Sequence, residues 1–275
     1  MIRTQTEKAE AFRSLHQLER AFIIPNPWDI GSARILAQLG FEALATTSAG
    51  LAFSLGKRDN TVGRDKVIDH IRAIVSATDL PVSADLENGF ADDPDTAAET
   101  IRLAGEAGAV GGSIEDASGR ANEPIYDLSL AVERVRAAAA AARSFPYPFM
   151  LTARAENYLH GRSDLNDTIR RLRAFQEAGA DVLYAPGLLN KSDIAAVLSS
   201  VDQPVNVLAG IQGMQLTLAE LSEIGVKRVS LGGALSRTAL GAFLRAAKEM
   251  RDHGTFGFVA GAVSPRELNG MFEGT

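Results

Sequence analysis

One recurring sequence pattern constrains the fold more than any other feature. In this pattern a helical segment ends at a glycine, and an apolar segment of strand length follows directly. It occurs at residues 39–43, 106–110, 177–181 and 223–227. Glycine suits the left-handed position that ends a helix, so each copy predicts a helix leading into a buried strand. Over the whole chain, strand and helix patterns alternate eight times. This favours an α/β fold with a single (β/α)8 TIM barrel over a doubly wound sheet.

The hydrophobic pattern places the strands and helices along one domain, residues 1–275, with no linker dividing it. The predicted strands are residues 22–25, 43–47, 82–85, 110–115, 149–153, 182–185, 205–208 and 229–231. The predicted helices are residues 7–18, 32–39, 64–77, 94–107, 128–143, 164–178, 192–199, 218–224 and 235–252. A helix-start signature at Ser264-Pro265 predicts one more helix with no strand to cover, so residues 255–275 are expected to form a C-terminal arm and helix.

Composition limits the classes of function that the chain can serve. It has no cysteine, which excludes disulfides, thiolate zinc sites and cysteine nucleophiles. A net charge of −6 argues against nucleic acid as the main partner. The first twenty residues are polar and lack a signal core, and no apolar run approaches the ~20 residues of a membrane span. A cytoplasmic protein without a membrane partner is expected.

Two acidic pairs follow successive predicted strands. Asp85 ends the strand at 82–85 and Glu87 follows it, while Glu115 ends the strand at 110–115 and Asp116 follows it. Side chains at i and i+2 of a strand point the same way, and carboxylates are ligands for a hard cation such as Mg²⁺. Either pair alone could simply cap the next helix. Two pairs at matching ends of neighbouring parallel strands favour a metal site.

The other predicted strand ends are also polar, as an active site at the carboxyl face of a barrel requires. They carry Asp29, Ser48-Ala49-Gly50, Asp59, Arg154, Glu156, Tyr184 and Asn206. Ser48 to Gly50 have small side chains, so their backbone N–H groups could bind a ligand carboxylate. The alternative is that these residues only form a turn after the strand. Arg154 suits a second carboxylate, or a salt bridge to Glu156. The four histidines fall in helical patterns and are expected to face solvent, with only His160 near the rim of the barrel.

At these positions the sequence resembles the isocitrate lyase/phosphoenolpyruvate mutase superfamily. The resemblance runs in order from Asn26 to about Leu240. The matching segments are Trp28-Asp29-Ile30-Gly31-Ser32-Ala33, Ser48-Ala49-Gly50-Leu51, Leu55 to Asp59, Asp85-Leu86-Glu87-Asn88-Gly89, Ile114-Glu115-Asp116 and Ala153 to Glu156. Each motif is weak alone, and six in register are a strong match.

The resemblance implies a ligand set and a chemistry. Mg²⁺, with Mn²⁺ as the alternative ion, would be bound by Asp85, Glu87 and Glu115, partly through waters. A small 2-oxo carboxylate would chelate the metal and bind Arg154 and the amides of Ser48 to Gly50. The family makes or breaks a C–C or P–C bond next to the oxo group through a metal-stabilised enolate. The substrate-binding set expected on this basis is Trp28, Asp29, Ser48, Ala49, Gly50, Arg154, Glu156 and Asn206.

A departure from the family narrows the subclass. Lyases of the family carry a cysteine- and histidine-bearing loop after the fourth strand, whereas residues 117–124 hold neither residue. An isocitrate-type lyase is therefore not expected, and the loop is nearer to that of the mutase, phosphonopyruvate hydrolase and oxaloacetate decarboxylase-like members. Arg120 and Asn122 would occupy the gating places of that branch. With Asp59 and Arg154 they complete the candidate catalytic set.

Two other functions stay open from the sequence. A phosphate-ester enzyme would use the glycines at 210–213 and 232–233 as a barrel phosphate site. A binding protein would keep the pocket for metal and 2-oxo acid without catalysis.

The apolar stripe of residues 263–272 has no strand of its own to cover, which predicts a contact with another subunit. The family resemblance further implies a homotetramer built from dimers that exchange the last helix.

Overall fold

Eight short parallel strands form the centre of the structure, a computed structural model that describes residues 3–273. The strands are β1 (Phe22–Ile24), β2 (Leu44–Ala45), β3 (Val82–Asp85), β4 (Gly111–Glu115), β5 (Met150–Arg154), β6 (Val182–Tyr184), β7 (Val205–Leu208) and β8 (Arg228–Ser230). They pair in the order β1-β8-β7-β6-β5-β4-β3-β2. The amide of Ala45 donates to the carbonyl of Pro25 at 3.1 Å and bridges the remaining gap. The prediction of a TIM-barrel fold is confirmed.

Helices cover the outside of this nearly closed barrel. They are α1 (Gln5–Leu15), α2 (Ile30–Gln38), α3 (Ser48–Ser54), α4 (Arg64–Ser76), α5 (Pro94–Glu106), α6 (Leu128–Arg143), α7 (Leu165–Glu177), α8 (Lys191–Leu198), α9 (Leu218–Glu223), α10 (Ala234–His253) and α11 (Pro265–Phe272). Short 3-10 turns cover Asn157–His160 and Gly257–Gly261. Within residues 3–273, no helix is both long and apolar enough to cross a bilayer.

Helix α3 is the element that the sequence did not predict. Ser48 to Gly50 were expected in a loop, but they form the first turn of a helix. The side chain of Thr47 caps it by accepting a hydrogen bond from the amide of Gly50 at 3.2 Å. Gly50 also sits where an added Cβ would meet the side chains of Thr47 and Trp28 at 2.6 and 2.8 Å. Only glycine permits this close approach of α3 to the segment that follows β1.

The two ends of the barrel interior differ in polarity. At the amino end of the strands, Phe12 of α1 packs with Phe22, Val110, Met150 and Val182, and this apolar cluster closes the barrel from below. Higher up, the interior-facing positions are small and polar: Ser83, Ser113, Asn206 and Ser230. Barrel interiors are usually filled by branched apolar side chains. The small side chains here leave a cavity that reaches deep between the strands.

The C-terminal segment lies outside the barrel. Helix α10 presents a row of exposed apolar side chains, and the chain then turns back so that α11 lies against α2 of the same chain. The extra C-terminal helix is therefore present as predicted. Its exchange between subunits is not seen in this single chain and stays a prediction.

Candidate active site

A cavity of about 190 Å³ opens at the carboxyl ends of the strands; we call it the central cavity. Among its lining residues are Asn26, Thr46, Thr47, Ser48, Ala49, Asp59, Asp85, Arg154, Tyr184, Asn206, Arg228, Ser230, Gly232 and Gly233. It is smaller than the ~300 Å³ at the lower end for drug-sized ligands. Its lining is rich in hydroxyl, amide and charged groups, so the cavity suits a small polar molecule.

Arg154, at the end of β5, lies at the centre of a cluster of carboxylates. Its Nη1 donates to Oδ1 of Asp85 at 3.0 Å, and its Nε donates to Oε1 of Glu156 at 2.8 Å. Its Nη2 lies 3.3 Å from Oε2 of Glu115. The guanidinium carbon stands 5.1 Å from the centre of the Tyr184 ring. The planar, multiply bonded guanidinium is therefore rigidly held, with one face against an aromatic ring.

The cluster holds more carboxyl groups than Arg154 alone could compensate if all of them were ionised. Burial raises the pKa of Glu115 well above its ordinary value, and the charge of Arg154 only partly opposes this. Burial, followed by the charges of Asp85 and Asp59, raises the pKa of Glu87 to about 8. Oε1 of Glu87 is buried without a hydrogen-bond partner. An unpaired buried carboxylate costs several kcal/mol unless it binds a proton or a cation.

The four predicted strand-end acids do not all converge. Asp116 turns away from the cavity, accepting from the amide of Glu156 at 2.8 Å and from Nη1 of Arg171 at 3.0 Å. Adjacent strand residues point to opposite faces, so Asp116 ties β4 and β5 to α7. The expectation that this second pair converges with the first is wrong for Asp116. Glu115 alone faces the cluster.

Glu87 and Glu115 line a second hollow of about 360 Å³ beside the central cavity. Glu87 has a positive φ of 49°, so the strand alternation stops after Asp85. The Glu87 side chain therefore does not point in the same direction as the Asp85 side chain, as it would in an i, i+2 pair on a regular strand. Asp85 and Glu115 both contact Arg154, which stands at the boundary between the two hollows.

Ser48 and Ala49 line the wall of the central cavity at the start of α3, whereas Gly50 is buried against Thr47 and Trp28 and does not line it. The amide of Ser48 donates to Oδ2 of Asp85 at 3.0 Å, and the amide of Gly50 donates to Oγ1 of Thr47 at 3.2 Å. Asp59, in the exposed loop after α3, lines the same wall. Burial and the nearby charge of Asp85 raise the pKa of Asp59, against hydrogen bonds from Asn60 and Ser48. Asp59 thus holds its proton to higher pH than an ordinary aspartate.

Three predicted site residues lie away from the central cavity. Asp29 caps α2 by accepting from the amide of Ser32 at 2.7 Å, and its side chain is exposed. Arg120 pairs with Asp92 on the surface, with its guanidinium 5.5 Å from the Tyr126 ring. Asn122 is exposed in the same loop. Their roles in binding or gating stay predictions, and each would need movement of its loop.

Other predicted residues line or support the cavity. Asn206 is buried in its wall, donating to Oγ of Ser230 and accepting from Nε of Arg228, both at 2.9 Å. Glu156 holds Arg154 from its buried side. Trp28 is half-buried beneath α3, where its Cβ faces Gly50. Of the two glycine pairs considered for phosphate, Gly232 and Gly233 line the cavity.

Two buried residues, Arg228 and His16, differ from what the sequence pattern predicts. Arg228 is the first residue of β8 and lines the central cavity with only 5% of its surface exposed. The alternation of Arg228, Val229 and Ser230 was the available signal, because it places Arg228 on the same face as Ser230. His16, expected at the surface, is 3% exposed. Its Nδ1 lies 2.9 Å from the carbonyl of Phe12.

Among residues 3–273, no group of three His, Asp or Glu side chains is placed to coordinate one ion directly. Mg²⁺ keeps several waters and commonly takes only one or two carboxylates from the protein. The excess of carboxyl groups over cationic side chains and the partnerless Oε1 of Glu87 fit such a partly hydrated ion. Asp85, Glu87 and Glu115 stay the predicted ligands.

The fold and the cavity together define a (β/α)8 barrel with the small polar pocket in which such barrels bind their substrates. The family model for phosphoenolpyruvate phosphomutase matches residues 12–251. The chain belongs to this family, within the phosphoenolpyruvate mutase/isocitrate lyase superfamily. The resemblance seen in the sequence is thereby confirmed. Superfamily members are enzymes that act as lyases, mutases or hydrolases on 2-oxo acids.

Three similar proteins illustrate the range of this family. A solved structure of a candidate lyase/mutase from Burkholderia cenocepacia J2315 is 64% identical, with a TM-score of 0.96, covering 98% of this chain and 96% of its own. The uncharacterized protein Rv1998c of Mycobacterium tuberculosis is 32% identical over 88% of this chain and 89% of its own length. Oxaloacetate acetylhydrolase, solved with its product oxalate, is 26% identical with a TM-score of 0.86, covering 96% and 93%.

Proposed function

We propose that this protein is a Mg²⁺-dependent enzyme that breaks or forms a C–C or P–C bond next to the oxo group of a small 2-oxo carboxylate. One observation carries the proposal: a rigid arginine, Arg154, stands among more carboxylates than it neutralises, at the wall of a small polar cavity. Such a cluster offers both a cation site and an anion site within a few ångströms. A 2-oxo acid bound to a divalent ion needs both.

The metal would be held by Asp85, with Glu87 and Glu115 contributing directly or through water. Mg²⁺ bound there would act as a Lewis acid that polarises the oxo group. Asp85 lines the central cavity, whereas Glu87 and Glu115 line the adjoining hollow, so the ion would be bound at their boundary. Binding would displace the proton that Glu87 carries below pH 8.

The side chains around the cavity supply the remaining steps. Arg154 would hold the substrate carboxylate by charge-assisted hydrogen bonds. When a bond from C3, the carbon next to the oxo group, breaks, its electron pair stays with the 2-oxo fragment as an enolate, which must then accept a proton. The departing group leaves as CO₂ or a carbonyl compound, or, from a P–C bond, as a phosphoryl group taken up by water. Asp59 has a raised pKa and lines the cavity, which supports the proposal that it would give that proton, or take it in the reverse direction. The low dielectric of the buried wall strengthens each of these interactions.

Replacing Asp85 by alanine tests the metal site. We expect Asp85→Ala to weaken Mg²⁺ binding at least about tenfold in calorimetry, because one of the few carboxylates in reach is removed. Asp95→Ala, an exposed acid in the first turn of α5, should leave the affinity unchanged. Equal affinity in Asp85→Ala and the wild type would rule out the site.

A substrate panel tests the activity itself. Wild-type protein with Mg²⁺ would be mixed with a series of 2-oxo acids, including a phosphonate-bearing one, and release of pyruvate, CO₂ and phosphate would be measured. Turnover of one member that Asp59→Asn abolishes without loss of binding supports the proposal. Binding of 2-oxo acids without any turnover would identify a non-catalytic binding protein instead.

A further inference from the structure

The floor of the central cavity carries a buried arginine that no carboxylate compensates. Arg228 enters the barrel from β8 and reaches across to β5, where its Nη2 donates to Oγ1 of Thr152 at 3.0 Å. Its Nε donates to the amide oxygen of Asn206 at 2.9 Å. Its Nη1 is buried and has no hydrogen-bond partner. None of the ion pairs formed within residues 3–273 includes Arg228, although the other buried arginine of this cavity, Arg154, has three.

A buried guanidinium without a counter-charge is costly, and protein interiors rarely keep one. Burial lowers the pKa of Arg228 to about 10, so the group is still charged at neutral pH. The positive charge of Arg154 also lowers the pKa of Arg228. Two guanidinium groups thus line one cavity of about 190 Å³, one at the level of the carboxylates and one at the floor. An anion between them would satisfy the free Nη1 and relieve their repulsion.

We propose that Arg228 is a specificity-determining residue, which binds the anionic group at the end of the substrate that lies away from the oxo group. This inference rests on the proposed function, because it assigns the remaining part of the same substrate. The end next to the oxo group lies at Arg154, and the other end points down the barrel to Nη1 of Arg228. Hydroxyl groups of Ser83, Ser113 and Ser230 line the passage between them.

A water molecule is the competing occupant for this Nη1. The buried Nε2 of His16 also has no partner, and the charge of Arg228 acts on His16. A water held between the two would satisfy both atoms without a ligand. In that case Arg228 is structural, and its replacement should alter stability without changing which ligand is preferred.

The test compares two ligands that differ only at the far end. Oxaloacetate carries a carboxylate where 2-oxobutyrate carries a methyl group. Their binding with Mg²⁺ would be measured by competition against oxalate, within seconds of mixing. We expect the wild type to prefer oxaloacetate by at least about tenfold. Arg228→Gln should reduce the preference to about twofold or less with 2-oxobutyrate binding unchanged, and Arg228→Lys should keep part of it. Arg237→Gln, on the exposed part of α10, is the matched control.

The outcomes separate the two proposals. A preference that survives in Arg228→Gln, or an equal loss for both ligands, overturns the role of Arg228 and leaves the proposed function standing. If neither 2-oxo acid nor oxalate binds the wild type, the proposed function fails. In that case the unfolding temperature is measured with and without succinate. A rise with succinate in the wild type that is absent in Arg228→Gln supports an anion site at Arg228. The same response in both proteins overturns it.

Discussion

Arg154 and Arg120 were both candidates for binding a substrate anion, and their surroundings differ sharply. Arg154 has 15% of its side chain exposed and contacts Asp85, Glu115 and Glu156. Arg120 has 44% exposed and pairs with Asp92 across two surface loops. Exposed pairs contribute ~0–1 kcal/mol, and a long free side chain loses more entropy when a ligand orders it. The buried, preorganised arginine should therefore dominate binding.

We predict that Arg154→Ala weakens binding of oxalate with Mg²⁺ far more than Arg120→Ala does, by at least about 2 kcal/mol against less than about 1. Calorimetry on both variants measures this. Arg154→Ala also leaves buried carboxylates uncompensated, so Arg154→Lys, which keeps a charge, serves to separate binding from stability. Equal losses in the two alanine variants would mean that the loop of Arg120 closes over the ligand.

His16 makes stability depend on pH. Burial, aided by the charge of Arg228, lowers its pKa to about 3 from an ordinary 6.5. The folded protein keeps His16 neutral while the unfolded chain takes up a proton below about pH 6.5, so this contribution is complete above that pH and is lost as the pH falls toward 3. At about 1.4 kcal/mol per pH unit, lowering the pH from 6.5 to 5 costs about 2 kcal/mol.

We predict that His16→Phe loses about 2 kcal/mol less stability than the wild type between pH 7.5 and pH 5. Phenylalanine suits the site because His16 packs edge-on against the rings of Phe12 and Phe22. Urea unfolding at the two pH values gives the difference. His253→Gln, at the exposed end of α10, should follow the wild type, and a His16→Phe profile parallel to the wild type would contradict the assignment.

At the scale of elements, α6 holds the loop that follows β3. Arg134 of α6 is 1% exposed, and its guanidinium donates to the carbonyl groups of Asn88, Ala91 and Asp92. Its carbon lies 4.6 Å from the centre of the Tyr126 ring. This loop leads directly from Glu87, so its conformation helps to place a predicted metal ligand.

We predict that Arg134→Met lowers the free energy of unfolding by about 2–4 kcal/mol, because buried carbonyl groups lose their donor. Hydrogen exchange of the amides of residues 86–93 should accelerate more than exchange elsewhere. Arg136→Met, on the exposed face of the same helix, should change stability by less than about 0.5 kcal/mol. Unchanged exchange in residues 86–93 would show that the loop is held by other contacts.

Some elements of the fold follow from the sequence pattern more closely than others. Strands β3 and β7 and helix α6 were predicted at their observed bounds, because each strand starts directly after a proline and the helix has a long apolar period. The seven-residue α3 was missed, since small residues blur its period. Ligand candidates such as Asp85 and Arg154 followed from strand ends alone. The direction of Asp116 and the buried place of Arg228 depend on pairing with Arg171 and Thr152, which are remote in sequence.

At the scale of the whole molecule, the C-terminal region has surface that one chain leaves uncovered. Phe243 and Leu244 of α10 are 66% and 54% exposed, and Phe256 and Val259 in the following turn are 67% and 59% exposed. Neighbouring exposed apolar side chains of this kind usually mark a surface that contacts a partner. The patch is continuous with the region predicted from the sequence to join subunits.

We predict a homotetramer whose dimer contact depends on the last helix. Deletion of residues 255–275 should give smaller, less stable species by light scattering. Because α11 also lies against α2, the full-length double variant Phe256→Ser, Val259→Ser tests the surface without removing the helix. A deletion variant that stays tetrameric would show that α11 serves only its own barrel.

The apolar cluster of Phe12, Phe22, Met150 and Val182 has a kinetic consequence. It plugs the amino end of the barrel, so a molecule that enters the central cavity must leave by the opening through which it came. If a substrate is split there, as proposed, the fragment nearer the opening would block the exit of the fragment on the floor. Release is then ordered, and the deeper product is the one that competes with fresh substrate for the empty protein.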